Sequence, residues 1–170
     1  HSKHRIAWLL ILMFSATITG TIITRYENAF AAIPLLVSFI PMLMDTGGNC
    51  GSQSSTLIIR GIALGEIQFS DLFRVMFKEF RVSLIVGVAL ALANGIRILI
   101  MYKNAGLALV IGLSLVATIV ISKLIGCVLP LIAKKLHMDP AIMASPLITT
   151  LVDTCSILIY FNIATQVFQL

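Results

Sequence analysis

Residues 39–60 form the stretch FIPMLMDTGGNCGSQSSTLIIR, which decides the fold because it places polar groups inside a long apolar segment. Asp45 is followed there by three glycines and by a series of amide and hydroxyl side chains. In hydrocarbon, every backbone amide needs an internal partner, and an ionisable side chain must face protein or water. We therefore expect this stretch to line a polar cavity, where glycines permit close backbone approach and allow the helix to bend or break.

The composition of the 170-residue chain is that of a membrane protein. Hydrophobic residues make up 59% of the chain and charged residues 11%, and the mean hydropathy is +1.05. Apolar runs of bilayer-spanning length recur along the sequence. The net charge of +5 comes from basic residues between these runs, so it indicates membrane topology and not nucleic-acid binding. We expect an all-α integral membrane protein.

Five transmembrane helices per subunit are predicted, together with one amphipathic helix at the membrane interface. The second span is too long for a plain helix, which favours a tilted or broken one. Residues 70–81 place apolar side chains opposite Arg74, Lys78 and Glu79, which predicts a helix in the headgroup region; a cytosolic linker helix is the alternative. The predicted spans are approximately residues 6–24, 29–61, 82–102, 107–133 and 140–161.

The two ends of the chain lie on opposite sides of the membrane if there are five spans. Residues 1–5 are interpreted as an expression-tag remnant or cytoplasmic lead-in, and residues 6–170 as the transmembrane domain. Basic residues concentrate on the N-terminal side, which predicts a cytoplasmic N-terminus and an external C-terminus. That side holds Lys3, Arg5, Arg60, Arg74, Lys78, Arg81, Lys134 and Lys135, whereas the other holds Arg25 and Lys103, with Arg97 close to it.

The fifth predicted span carries a second polar feature. Ser145, Thr149 and Asp153 recur every four residues, so they lie along one helix face. A charge at mid-bilayer costs roughly 2.5–3.5 kcal/mol on insertion scales, so a hydrated path explains this face better than lipid contact. Alternatively, Asp153 is buried and paired with Lys123 of the fourth span, and Asp45 could equally be the partner of Lys123.

The sequence offers no pattern typical of an enzyme or of a zinc site. It contains no paired His with Glu on one helix, no nucleophile with a credible base and no phosphate-binding loop, so we expect a protein that is not an enzyme. Cys50, Cys127 and Cys155 lie in apolar segments without metal-ligand spacing, which indicates packing residues.

The glycines of the opening stretch have two interpretations. A glycine pair such as Gly47 and Gly51 can pack helices closely. The interleaved Asp45, Asn49 and Gln53 favour a pore instead. The predicted pore-lining residues of this stretch are Gly48, Asn49, Gly51 and Gln53, with Asp45 as a metal ligand.

The pattern Pro41-Met-Leu-Met-Asp45-Thr-Gly-Gly-Asn-Cys-Gly-Ser-Gln53, followed by Arg60-Gly61, resembles the MgtE family of magnesium channels. Asp139-Pro-Ala141 and the downstream Pro146, Thr149, Thr150 and Asp153 resemble the same family. The similarity covers nearly the whole chain, including the five-span layout and the amphipathic helix before the third span.

The resemblance implies a homodimer in a bacterial inner membrane, with a central pore lined by spans two and five of both subunits. It implies that Asp153 holds hydrated Mg²⁺ and that Ser145 and Thr149 line the pore. It also implies that Asp139 helps to bind regulatory Mg²⁺ at the cytoplasmic mouth, although a simple helix cap explains an acid at this position as well. In the family, cytoplasmic regulatory domains, including a CBS pair, precede the first span and gate the pore.

The expected function is a magnesium-selective channel domain in contact with membrane lipid. Mg²⁺ dehydrates reluctantly, so a site for it should be wide and made of a few oxygen atoms that bind its water shell. Two Asp153 carboxylates facing each other across a two-fold axis would meet this requirement. The alternatives are a proton- or sodium-coupled exchanger of divalent cations and a non-conducting membrane assembly subunit.

Overall fold

The computed structural model describes residues 2–143 and 145–170, which form an all-helical fold. Short 3₁₀ turns at Phe69–Asp71 and Pro140–Met143 precede the fifth and seventh α-helices. The α-helices in these two ranges are α1 (Ser2–Arg25), α2 (Glu27–Ala32), α3 (Leu35–Ser38), α4 (Ile40–Ala63), α5 (Leu72–Tyr102), α6 (Ala105–Lys135) and α7 (Ser145–Phe168).

Four helices of the described chain have the length and hydropathy to cross a bilayer. They cover residues 5–25, 69–102, 105–135 and 146–168, in agreement with the first, third, fourth and fifth predicted spans. The region of the predicted second span is occupied by α2, α3 and α4. α4 has 24 residues and extends about 36 Å, enough to cross a hydrocarbon core of about 30 Å, but it is more polar than the other four.

The expected break in the second span lies before the glycine-rich stretch. The backbone leaves helical geometry at Ile33, whereas Asp45 to Ser55 is continuous α-helix. The short α3 that follows the break is held by Tyr160 of α7, whose hydroxyl donates a hydrogen bond of 2.6 Å to the carbonyl oxygen of Leu36. The glycines therefore serve a purpose other than unwinding the helix.

The amphipathic segment before the third span is continuous with that span. α5 has 31 residues and is about 46 Å long, which exceeds a hydrocarbon core of about 30 Å, and no break separates its first turns from the rest of the helix. The predicted position of Glu79 on the polar face with Arg74 and Lys78 was wrong, because Glu79 is only 8% exposed. The two basic residues are exposed as expected.

Two apolar clusters lie at opposite ends of the helical bundle. One joins α3, the start of α4, α5, α6 and α7 around Leu36, Ile98, Leu107 and Phe161. The other joins α4 and α6 through Ile58, Cys127 and Leu131. Between them, α4 packs on α6 and α7 through a layer of small and hydroxyl-bearing residues, which are Gly47, Gly51, Ser54, Thr118, Ser122 and Gly126.

The closest approach in this layer joins α4 to α6. A Cβ atom added at Gly126 would collide with the backbone carbonyl of Gly51. A Cβ at Gly51 would lie 2.7 Å from the Ile148 side chain of α7 and 3.2 Å from the carbonyl oxygen of Ser122. Close packing of small residues is the usual way in which membrane helices associate.

We expect Gly126→Ala to lower the free energy of unfolding by about 1–3 kcal/mol, since the methyl group would push α6 away from the α4 backbone. Gly95 of α5 is the matched control, because a Cβ there meets nothing within 4 Å. Gly95→Ala should leave stability unchanged or raise it by up to about 1 kcal/mol, through higher helix propensity. Thermal unfolding in detergent measures both variants, and equal stability of the two would contradict the close approach.

Candidate functional site

α4 has a buried face and an exposed polar face. Gly47, Gly51 and Ser54 lie on the buried face at helical spacing. The exposed face carries four polar side chains, which we call the polar stripe: Asp45, Asn49, Gln53 and Thr56. Polar groups this far inside a membrane-length helix require water or another protein surface, because lipid cannot satisfy them.

A groove of about 470 Å³ runs between α4 and α7. α4 contributes Asp45, Gly48 and Asn49, and α7 contributes Thr149 and Asp153. A neighbouring groove of about 610 Å³ continues along the polar stripe, and it is lined by Asn49, Ser52, Gln53, Thr56 and Leu57. The two grooves share Asn49 and Ser52, so they form one continuous polar surface on this side of the subunit.

α7 directs two of its predicted site residues into the α4–α7 groove. Thr149 and Asp153 are one helical turn apart, and both line the groove, as their spacing in the sequence predicts. The Thr149 hydroxyl donates to the carbonyl oxygen of Pro146 at 3.0 Å, which holds the side chain beside its own helix. Ser145 begins α7, but its side chain lies outside the described residues.

The predicted pore glycines of α4 differ in position. Gly48 lines the groove, and a Cβ added there would lie 3.0 Å from the methyl group of Thr149. Gly51 is instead buried against Ile148 and Ser122, away from both grooves. Its position matches the helix-packing interpretation of the glycine pair.

A buried polar network joins α4, α5 and α6. The Ser54 hydroxyl donates to Glu79 Oε2 at 2.6 Å and accepts a hydrogen bond from Lys123 Nζ at 3.3 Å. Lys123 and Glu79 form a salt bridge of 3.6 Å. The alternative in which Lys123 pairs with Asp153 or Asp45 is not found: its partner is Glu79, which helical periodicity had assigned to the polar face.

Asp45 and Asp153 remain without a basic partner in the described part of the chain. No group of three His, Cys, Asp or Glu side chains among these residues is close enough to hold a metal ion. One subunit thus offers a few separated oxygen ligands on an open surface. This arrangement suits a cation that keeps most of its bound water. A dehydrated metal ion would instead need several side chains that coordinate it directly.

Asp139 lies in the exposed turn between α6 and α7. Its Oδ1 accepts a hydrogen bond of 3.0 Å from the backbone N–H of Ala141, so the carboxylate caps the short 3₁₀ turn that follows. Capping is the simpler of the two roles expected for this residue, whose side chain is exposed.

Comparison with known proteins identifies relatives over almost the entire chain. The family model MgtE, described as a divalent cation transporter, matches residues 40–163. A magnesium transporter MgtE of Bacillus subtilis is 40% identical over 161 residues, which cover 95% of this chain and 36% of that protein. The proteins of the same name from Thermus thermophilus and Enterococcus faecalis are 36% and 34% identical, covering 94% and 97% of this chain. The chain spans about a third of the length of these relatives: 36%, 35% and 36%.

We expect Gly48→Ala and Thr149→Ser to show a favourable coupling, since the serine lacks the methyl group that the new Cβ would approach. The loss of unfolding free energy in the double variant should be smaller than the sum of the losses in the two single variants, by roughly 0.5 kcal/mol or more. Thermal unfolding of the four proteins in detergent gives the coupling energy. Strictly additive effects would contradict the contact between α4 and α7 at the groove.

Proposed function

Since the chain belongs to the MgtE family of divalent cation transporters, we propose that it conducts hydrated Mg²⁺ through a pore lined by α4 and α7 at a homodimer interface. The groove between these helices carries the proposal, because it combines two carboxylates with amide and hydroxyl groups at membrane depth. The named relatives are magnesium transporters, so Mg²⁺ is the transported ion that we propose.

A second copy of the chain is the partner that the polar stripe requires. Asp45, Asn49 and Gln53 are exposed along α4 in a single subunit, and lipid would leave them unsatisfied. Two copies related by a two-fold axis would turn their grooves toward each other and enclose a water-filled path. α4 is the fifth membrane-crossing helix in this assembly: its buried face of small residues packs on α6 and α7, and its polar stripe faces the path.

Asp153 would act on the hydrated ion. The two carboxylates of a dimer balance the charge of one divalent cation, and they accept hydrogen bonds from its bound water. Asn49, Gln53 and Thr149 supply further oxygen atoms along the path. An ion held through its water shell avoids most of the dehydration cost and can leave again, as conduction requires.

The charge distribution favours a cytoplasmic N-terminus and an external C-terminus in a bacterial inner membrane. Inward movement of Mg²⁺ would then follow the membrane potential. In a longer chain, regulatory domains before the first span would contact the cytoplasmic mouth. There the exposed side chain of Asp139 could join acidic residues of those domains in binding a regulatory Mg²⁺.

Asp153→Asn should strongly reduce Mg²⁺ uptake while preserving the fold, since it removes the charge but keeps the shape of the side chain. Uptake into vesicles that contain the purified protein and a Mg²⁺-sensitive dye measures the effect. Glu27→Gln is the control, because it also neutralises an acidic side chain, but an exposed one at the start of α2, away from the groove. Normal uptake by well-folded Asp153→Asn protein would overturn the proposed role of the carboxylate.

Cysteines introduced along the polar stripe should cross-link two copies of the chain. In a background without Cys50, Cys127 and Cys155, an oxidant should convert Asn49→Cys to a covalent dimer, seen by non-reducing electrophoresis. Leu92→Cys on the exposed side of α5 is the control, and it should remain monomeric at the same protein density. Equal cross-linking at both positions would argue against the proposed dimer interface.

A further inference from the structure

The network of Ser54, Glu79 and Lys123 joins three helices at one point. Ser54 is fully buried, and Lys123 and Glu79 are only 6% and 8% exposed. Ser54 uses both its donor and its acceptor capacity here, since it donates to Glu79 at 2.6 Å and accepts from Lys123 at 3.3 Å. Lys123 Nζ lies 3.6 Å from Glu79 Oε2, and the two opposite charges make the network neutral as a whole.

Stability alone does not account for such a network. Replacing a buried ion pair by apolar side chains of similar volume is often neutral or even stabilising, because the desolvation of two charges is costly. Hydrogen bonds differ from apolar contacts in being directional. The network therefore adds a directional constraint on the rotation of α4 about its own axis, in addition to the close packing of the small residues on its buried face.

The rotation of α4 decides which residues border the groove. Successive residues are separated by roughly 100° around a helix. If the side chain of Ser54 is fixed in direction, the direction of its neighbour Gln53 is fixed as well. We propose that Glu79 and Lys123 are positioning residues for ion transport, which hold Ser54 and thereby keep the polar stripe of α4 directed at the ion path. The inference rests on the proposed function, because it takes the polar stripe to border that path.

Glu79 and Lys123 act through Ser54 and not on the ion itself. Neither side chain lines the α4–α7 groove or the groove along the polar stripe. Their contacts with Ser54 lie on the side of α4 that faces α5 and α6. Their loss should therefore change the orientation of α4 first and Mg²⁺ uptake as a consequence.

Cys50 provides a native reporter of this orientation. It precedes Ser54 by one helical turn, so it lies on the same face, and it is 8% exposed. With Cys127→Ala and Cys155→Ala as the background, a water-soluble maleimide should label Cys50 slowly. A rotated α4 would bring the Cys50 thiol toward the groove and raise its labelling rate.

The decisive variant is Glu79→Met/Lys123→Met, which removes both charges and both partners of Ser54 while keeping similar side-chain lengths. Ser54→Ala removes the hydrogen bonds that join α4 to Glu79 and Lys123 but leaves the ion pair. If the double variant fails to fold, Ser54→Ala alone tests the positioning role. Ser83→Ala is the matched control, because Ser83 is equally buried on α5 and donates to the Phe80 carbonyl of its own helix. Each protein is tested for maleimide labelling of Cys50 and for Mg²⁺ uptake in vesicles.

We expect the folded double variant and Ser54→Ala to label several-fold faster at Cys50 and to take up Mg²⁺ several-fold more slowly, with Ser83→Ala unchanged in both. Labelling or uptake equal to that of the unmodified protein in both test variants would overturn the positioning role. Asp153→Asn tests the proposed function separately from the positioning role. If that variant transports normally, the pore assignment is wrong, whereas Cys50 labelling still reports whether the network orients α4.

Discussion

The close approach of α4 to α6 at Gly51 and Gly126 allows a polar helix to pass through an otherwise apolar bundle. α4 has few large side chains on its buried face, so backbone contact replaces side-chain packing there. This approach brings Ser54 within reach of Lys123 and Glu79. The polar stripe lies on the opposite face of α4, where a single subunit provides no cover.

The acidic side chains near the middle of α4 fall into two classes as a result. Ser54, Glu79 and Lys123 satisfy one another inside the subunit, and their charges cancel. Asp45 and Asp153 border the open groove, and neither has a basic partner among the described residues. A buried charge persists only when it is paired or solvated, so the second class requires water, a cation or another subunit.

Much of this architecture follows from the sequence. The long apolar runs predict four of the helices, since length and hydropathy decide whether a segment can cross a bilayer. The four-residue spacing of Thr149 and Asp153 places both in the same groove, because local helix geometry determines that relation. The glycine-rich stretch marks the helix that carries the polar surface.

Features that depend on tertiary contacts were not predictable in this way. α3 is separated from α4 and held by Tyr160, a residue more than a hundred positions away. The burial of Glu79 depends on which face of α5 packs against α4 and α6. Aromatic residues lie on both sides of Glu79 in the sequence, so helical periodicity does not show which face of α5 is buried. The partner of Lys123 depends on the same choice of face, so Glu79 was not among the candidate partners that the sequence suggested.

The proposed path takes hydrated Mg²⁺ between α4 and α7 of two subunits, beside Asp153. The most direct measurement is an experimental structure of the protein in a lipid membrane with Mn²⁺ as an anomalous or strongly scattering substitute for Mg²⁺. We expect a metal peak on a two-fold axis, separated from both Asp153 carboxylates by bound water. Metal density elsewhere in the membrane region, or α4 surfaces that face lipid in the assembled protein, would contradict it.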